Sequence, residues 1–259
     1  MYRDDQTAIV TGGASGIGAA TCRILAERGV DVVVADLAAE EGEELAGSIT
    51  DVDGGDASFV EADVSDEDAV AGMVEHAEKT FGSVDVLVNN AAVASQEADS
   101  RITEFDDDAY EFLTGVNLKG PMYATKHAIP AMLDTGEGTG VVVNNASIAA
   151  LIAEPGMDIY TATKGALVSL TRSIAVEYAP DIRANTICPG VVETPMLEAA
   201  MESEGDSDIP DTMASMIKET PLGIADPEDI ARAIAFLASD DAAFVTGVTI
   251  PVDGGYTAQ

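Results

Sequence analysis

Tyr160 and Lys164 stand four residues apart at the start of a helical pattern, a spacing that puts a phenol and an ammonium on one helix face. A free phenol with a pKa of about 10 is a poor base at neutral pH. A neighbouring cation stabilises the phenolate and pulls that value down, each unit being worth about 1.4 kcal/mol. Upstream, NNAS ends at Ser147, whose hydroxyl can hold a substrate oxygen while Tyr160 exchanges its proton, as acid in one direction and base in the other.

Near the start of the chain a β-like run, Thr7 to Thr11, leads directly into TGGASGIG and an apolar-periodic helix. Gly12, Gly16 and Gly18 let the backbone turn sharply. An anion such as a pyrophosphate can then approach the helix N-terminus beside Ser15, Gly16 and Ile17. The spacing differs from the common GxGxxG. A second β run, VVVA, ends at Asp36, where an acid bonds the ribose hydroxyls of an adenosine and repels a 2'-phosphate. Neither Ser15 nor Leu37 offers a compensating cation, so the expected cofactor is NAD.

These groups need a scaffold that brings distant segments to one edge. Short β-branched runs at Thr7 to Thr11, Asp31 to Ala35, Ser58 to Glu61, Val84 to Val88, Gly140 to Asn145, Ile182 to Ile187 and Thr249 to Val252 read as strands. Amphipathic stretches at Gly16 to Arg28, Asp66 to Phe81, Asp106 to Val116, Lys119 to Leu133, Tyr160 to Tyr178 and Pro227 to Ala238 read as helices. The alternation predicts an α/β fold: one Rossmann-like, doubly wound domain over residues 1–259, about seven parallel strands with helices on both faces. The segment Gly190 to Leu222 breaks the rhythm after a strand end and carries Met196, Met201, Met213 and Met216. It reads either as a lid over the substrate or as two ordinary surface helices with a methionine core face.

Acids outnumber bases 47 to 12 and the formal charge is -35, a surface that repels nucleic acid and anionic membranes. The acids are interleaved with apolar periodic segments, which argues against disorder. Such a surface suits concentrated salt, where the Debye length shrinks to roughly 3 Å at 1 M, and points to an extremely halophilic source. Cys22 and Cys188 lie far apart with no CxxC pairing. No signal-like order opens the chain and no apolar run reaches about 18 residues, so a soluble, cytoplasmic protein is expected.

Taken together, TGGASGIG, the DV at Asp63, NNAA at Asn89 to Ala92, Asn117, Ser147, YTATK, the PG at Pro189 and VDGG at Val252 to Gly255 resemble the single-domain branch of the short-chain dehydrogenase/reductase family, in order and over nearly the whole chain. The resemblance implies an NAD-dependent oxidoreductase that moves a hydride between the nicotinamide and a secondary alcohol or ketone. It implies a catalytic set of Asn117, Ser147, Tyr160 and Lys164, with a water held by the Asn117 backbone linking Lys164 to solvent, and Lys164 also bonding the nicotinamide ribose. Asp63 and Val64 would meet the adenine, and Asn89, Asn90 and Ala91 would line the cofactor. Pro189, Gly190, Val192 and Thr194 would cover the nicotinamide carboxamide, with Thr194 also free to cap the next helix. It further implies a homotetramer joined through the helices Lys119 to Leu133 and Tyr160 to Tyr178, whose small faces include Ala162, Ala166 and Ala175, and through the C-terminal strand.

Other chemistries fit less well. Ser147 sits in NASIA and not in GxSxG, and the histidines, His76 and His127, fall in predicted helices. There is no GxxxxGK[ST] and no recognisable metal-ligand cluster, so no metal is expected. Two readings stay open beside an alcohol dehydrogenase: a 3-oxoacyl thioester reductase, whose usual NADPH-binding base would stand at Ser15, and a non-catalytic NAD sensor on the same fold. The expected substrate pocket is Ala149, Ile152, Met157, Val191, Met196 and Met201, mostly apolar and lacking an arginine to clamp an anion.

Overall fold

β-Branched residues dominate the sheet of the computed structural model, which describes residues 2, 5–50, 54–94, 99, 101–202 and 211–258. The strands are β1 (Thr7–Thr11), β2 (Asp31–Asp36), β3 (Ala57–Glu61), β4 (Val86–Asn89), β5 (Gly140–Asn145), β6 (Ile182–Pro189) and β7 (Thr249–Val252). They form one parallel sheet in the order β3-β2-β1-β4-β5-β6-β7. The order reverses between β1 and β4, which leaves a crevice beyond their carboxyl ends.

Because side chains alternate along a strand, each strand feeds two cores. Val10, Val32 and Val34 pack on one face with Leu25, Ile49, Ile230 and Ile234, from α1 (Gly16–Ala26), α2 (Ala39–Thr50) and α9 (Pro227–Ala238). Ile9, Val33 and Leu87 pack on the other with Met73, Ala128 and Ile174, from α3 (Glu67–Phe81), α5 (Gly120–Asp134) and α6 (Asp158–Glu177). The remaining helices are α4 (Asp107–Thr114), α7 (Pro195–Glu202) and α8 (Asp211–Glu219). None of the helices among the described residues is long and apolar enough to cross a membrane.

Several elements depart from the sequence reading. Helix α2 was not among the expected helices, because its buried side is small: a Cβ at Gly42 would lie 2.3 Å from the Phe59 ring, so glycine stands where a periodic pattern would show an apolar side chain. Strand β4 starts at Val86, two residues later than expected. Val84 bonds laterally, its N–H donating to Thr135 Oγ1 at 3.2 Å, while Asp85 keeps backbone bonds to Thr7 and Val141 and adds a side-chain one, its Oδ2 accepting the Thr7 N–H at 2.9 Å. The expected break before Lys119 is absent, and a π turn over Gly115–Lys119 carries α4 into α5 without a loop. Helix α1 ends at Ala26 and α6 begins at Asp158, shifts of two residues from the predicted ends at Arg28 and Tyr160.

Candidate active site

The glycine turn is built by close backbone approach. Gly12 and Gly16 have φ of +62° and +49°, the left-handed region that favours glycine. A Cβ at Gly18 would fall 1.9 Å from the Gly12 carbonyl oxygen, so only glycine lets α1 begin this close to β1. Gly18 therefore shapes the turn from behind the residues that line the cleft. Ser15 makes no side-chain cap bond and the first turn of α1 carries no acid, so the positive end of the helix faces the crevice uncompensated. Asn90 ties the turn to β4, its Nδ2 donating to the carbonyls of Thr11 and Gly12 at 2.9 and 3.0 Å.

At the end of β2 the Asp36 carboxylate accepts the N–H of Ala14 at 2.9 Å and that of Ala38 at 3.1 Å, so it is held at the mouth of the crevice. Leu37 beside it is exposed. Asp63 accepts the N–H and hydroxyl of Ser65 at 2.8 and 2.7 Å, a local turn that leaves Val64 against Gly120.

On the far side of the sheet reversal, β5 delivers Ser147 and α6 delivers Tyr160 and Lys164. The Ser147 Oγ accepts the Ala149 N–H at 3.1 Å, and Ser147 lines the same cavity as Tyr160. Lys164 is buried, with Nζ donating to the Asn145 carbonyl at 3.1 Å and lying 5.6 Å from the centre of the Tyr160 ring. Burial pushes the Tyr160 phenol up to about 12 against the lowering effect of Ser147, and burial draws the Lys164 ammonium down to about 8. The expected lowering of the phenol by its lysine neighbour is thus not what the protein alone shows. The ammonium is engaged with a carbonyl, and loss of water outweighs its field.

Asp36, Asp63, Ser147, Tyr160 and Lys164 all line one cavity of about 980 Å³ that runs from the glycine turn to α7 and α8. Gly12, Ser15, Gly16, Ile17, Leu37, Val64, Asn90, Ala91, Pro189, Gly190, Val192 and Thr194 line it too, as do Met157, Val191 and Met196. The sequence model of the family described as Enoyl-(Acyl carrier protein) reductase matches residues 12–257. The chain belongs to the short-chain dehydrogenase/reductase family. It is 43% identical over 256 residues to a cis-4-hydroxycyclohexanecarboxylate dehydrogenase of Sinomonas cyclohexanicum, covering 98% of this chain and 97% of that one. It is 40% identical over 254 residues to a 3beta-hydroxysteroid dehydrogenase 2 of Eggerthella lenta, covering 98% and 95%. A solved short-chain type dehydrogenase/reductase from Mycobacterium ulcerans superposes with a TM-score of 0.90 at 30% identity, covering 100% of this chain and 92% of that one.

In this short-chain dehydrogenase/reductase several expected site residues stand behind the cleft. The Asn89 side chain is buried in the sheet, donating to Asn144 Oδ1 at 2.8 Å, and does not line the cofactor crevice as expected. Asn117 lies in the π turn with its side chain spent on Val93, accepting its N–H and donating to its carbonyl, both at 2.8 Å. Ala149 packs against Met157 and Tyr160, and neither it nor Ile152 is among the residues lining the cavity. The Met201 side chain and that of Met213 lie outside the described residues. Thr194 does combine two positions, lining the cavity while its carbonyl accepts the N–H groups of Leu197 and Glu198 at the start of α7. His76 bonds Ser58 at 2.8 Å and His127 faces Glu67 at 3.3 Å, both away from the cleft.

Sequence reasoning missed Asp99, Glu154 and Phe112, and named Met216 only within the lid segment. Phe112, Glu154 and Met216 line the cavity. Asp99 is buried, and its carboxylate accepts the N–H of Ile159 at 3.1 Å and of Tyr160 at 2.7 Å, so it caps α6 from a segment far away in sequence. The signal was invisible because a cap is sought just before the helix, whereas this one arrives from the chain after β4. We expect Asp99→Ala to lower stability by about 2 kcal/mol, as for loss of a strong cap and orphaning of buried N–H groups. Asp99→Asn, which keeps one acceptor, should recover about half in denaturant unfolding, with kcat falling in the same order as Tyr160 loses its anchor.

Proposed function

We propose that the protein oxidises secondary alcohols to ketones, or runs the reverse reduction, with NAD as its cofactor. The observation that carries this reading is the convergence of Ser147, Tyr160 and Lys164 on the same cavity as the glycine turn and Asp36.

The residues fit a dinucleotide. The uncapped N-terminus of α1 suits a pyrophosphate beside Gly12, Ser15, Gly16 and Ile17. The Asn145 side-chain oxygen, buried at the cavity wall and without a partner among the described residues, is an acceptor open to a donor. Asp36 would take the adenosine ribose next to Leu37, while Asp63 and Val64 would border the adenine. Asn90, Ala91, Pro189, Gly190, Val192 and Thr194 would enclose the nicotinamide half, with Lys164 within reach of its ribose. When bound, the nicotinamide supplies or accepts the hydride. Tyr160 gives its phenolic proton to the carbonyl oxygen in reduction and takes it back in oxidation, while the Ser147 hydroxyl holds that oxygen. Lys164 places a positive charge beside the phenol as its charge changes. The Asn117 side chain, by clamping Val93, stiffens the cleft wall opposite Tyr160.

Met157, Val191 and Met196 form an apolar wall suited to a carbon skeleton. We read residues 190–222, including α7 and α8, as a lid over that end. The exposed Met122 and Leu133 on α5 and Val176 on α6, with Tyr178 just after it, support these helices as the contact of a homotetramer; Ala175, however, is buried in the second core. A thioester reductase is less well supported, since Ser15 offers no positive charge to the 2'-phosphate of NADPH and Asp36 repels it. The test is appearance of reduced nicotinamide absorbance from NAD or NADP with a panel of secondary alcohols, in about molar KCl. Oxidation with NAD supports the reading; binding of NAD without turnover of any alcohol would favour a sensor. The excess of acid also supports a high-salt habitat, for which the melting temperature should rise between low and molar KCl as repulsion is screened.

A further inference from the structure

Between the Ile148–Ala150 turn and α6 the chain reverses at Glu154-Pro155-Gly156-Met157, closed by the Met157 N–H donating to the Glu154 carbonyl at 3.2 Å, with Gly156 at φ +87°. Proline second and glycine third is what a type II turn requires. This rigid turn sets both Glu154 and Met157 into the wall of the cavity, immediately ahead of Tyr160. Glu154 is half-buried there, and its carboxyl has no hydrogen bond or ion pair among the described residues. Among the described residues that line this end, the other carboxyl is Glu111, which is exposed and paired with Lys119 at 3.3 Å. Phe112, Met157, Met196 and Met216 leave the rest of the wall apolar, and Lys164 is turned to the Asn145 carbonyl.

We propose that Glu154 determines specificity at the substrate end, and that the site selects secondary alcohols and ketones carrying a second hydrogen-bond donor, a hydroxyl or an ammonium, on the same skeleton; this rests on the dehydrogenase reading above. A carboxylate only accepts hydrogen bonds. A substrate that covers Glu154 with hydrocarbon strips its water and returns nothing, whereas a donor restores the bond that was lost. A substrate bearing its own carboxylate meets like charge. Burial and the negative charge of Asp99 both raise the Glu154 carboxyl above its ordinary range, as expected of an acid lacking a positive partner.

The test compares cyclohexane-1,2-diol, cyclohexanol and a cyclohexanol bearing a carboxylate, in the native protein, Glu154→Gln and Glu154→Leu. The native protein should prefer the diol over cyclohexanol in kcat/KM by about tenfold, mainly through KM, the ratio falling to about unity in Glu154→Leu and lying between in Glu154→Gln. The carboxylate substrate should gain about tenfold in both variants. Calorimetric titration of the same three compounds into protein holding the reduced cofactor, which cannot accept a hydride from them, reads the same ratios without turnover, and NAD affinity reports that each variant is folded. Ratios that do not change with residue 154, in kinetics or in binding, overturn the proposal. Absence of turnover with all three alcohols, while binding still ranks them by residue 154, would instead sink the dehydrogenase reading and leave Glu154 as the selector.

Discussion

Tyr160→Phe should lower kcat by about a thousandfold while leaving NAD affinity within a few-fold, because general acid–base catalysis by one positioned group contributes about 10²–10⁴. The substitution removes one hydroxyl and keeps the ring that packs against Ala149 and Met157, so the fold has little reason to change. Its partner Ser147 remains held by the Ala149 N–H. Rapid-mixing kinetics with NAD binding measured separately would distinguish loss of the proton step from loss of the site. The pH dependence follows from the position of the phenol, pushed up to about 12 by burial. Oxidation needs the phenolate, whose fraction grows as pH rises toward that value, so the native oxidation rate should climb through the alkaline range. Reduction needs the phenol, which stays protonated below about 12, so its rate should be flat over the same range. Tyr160→Phe should abolish the climb in whatever residual activity remains. A residual oxidation rate that still climbs with the native slope would place the titrating group elsewhere.

The second large effect is cofactor choice. The native protein should prefer NAD to NADP by about a hundredfold in kcat/KM, which corresponds to about 2.7 kcal/mol. That figure is modest beside the roughly 4 kcal/mol expected for one pair of like charges at close range near a protein surface, and allows for the solvent at the cavity mouth. Asp36 is pinned by the N–H groups of Ala14 and Ala38, so it cannot swing away from a 2'-phosphate. Asp36→Asn combined with Leu37→Arg should reverse the preference, since the exposed Leu37 position lets a guanidinium reach a phosphate without displacing core. Because the discrimination is partly Coulombic, it should shrink on going from dilute buffer to molar KCl. A preference for NAD that persists unchanged in the double variant would show that discrimination lies outside β2.

How much of this could be read from the chain depends on the range of the physics involved. Strands β1, β2, β4, β5 and β6 were legible because their runs are largely buried on both faces, and TGGASGIG was legible because a strand, a tight turn and a helix start are contiguous. Asp36 could be placed since the strand before it ends in the plane of the glycine turn. Tyr160 and Lys164 were paired by helical spacing alone.

What the sequence by itself determined, then, was the alternating architecture, the nucleotide turn and the chemical identities of the groups that converge. Only the tertiary structure decided the rest. It showed that Asn89 and Asn117 spend their side chains on Asn144 and Val93, that Asp99 reaches across to cap α6, and that Glu154 in the cavity wall has no partner among the described residues. It also reversed the expected direction of the Tyr160 shift, since burial and the turning of Lys164 toward Asn145 depend on atoms from β5 and β6 that local spacing does not contain. Local patterns record hydrogen bonds and faces within a few residues. Desolvation and long-range capping are set by which segments the sheet brings together, and those exist only once the chain has folded.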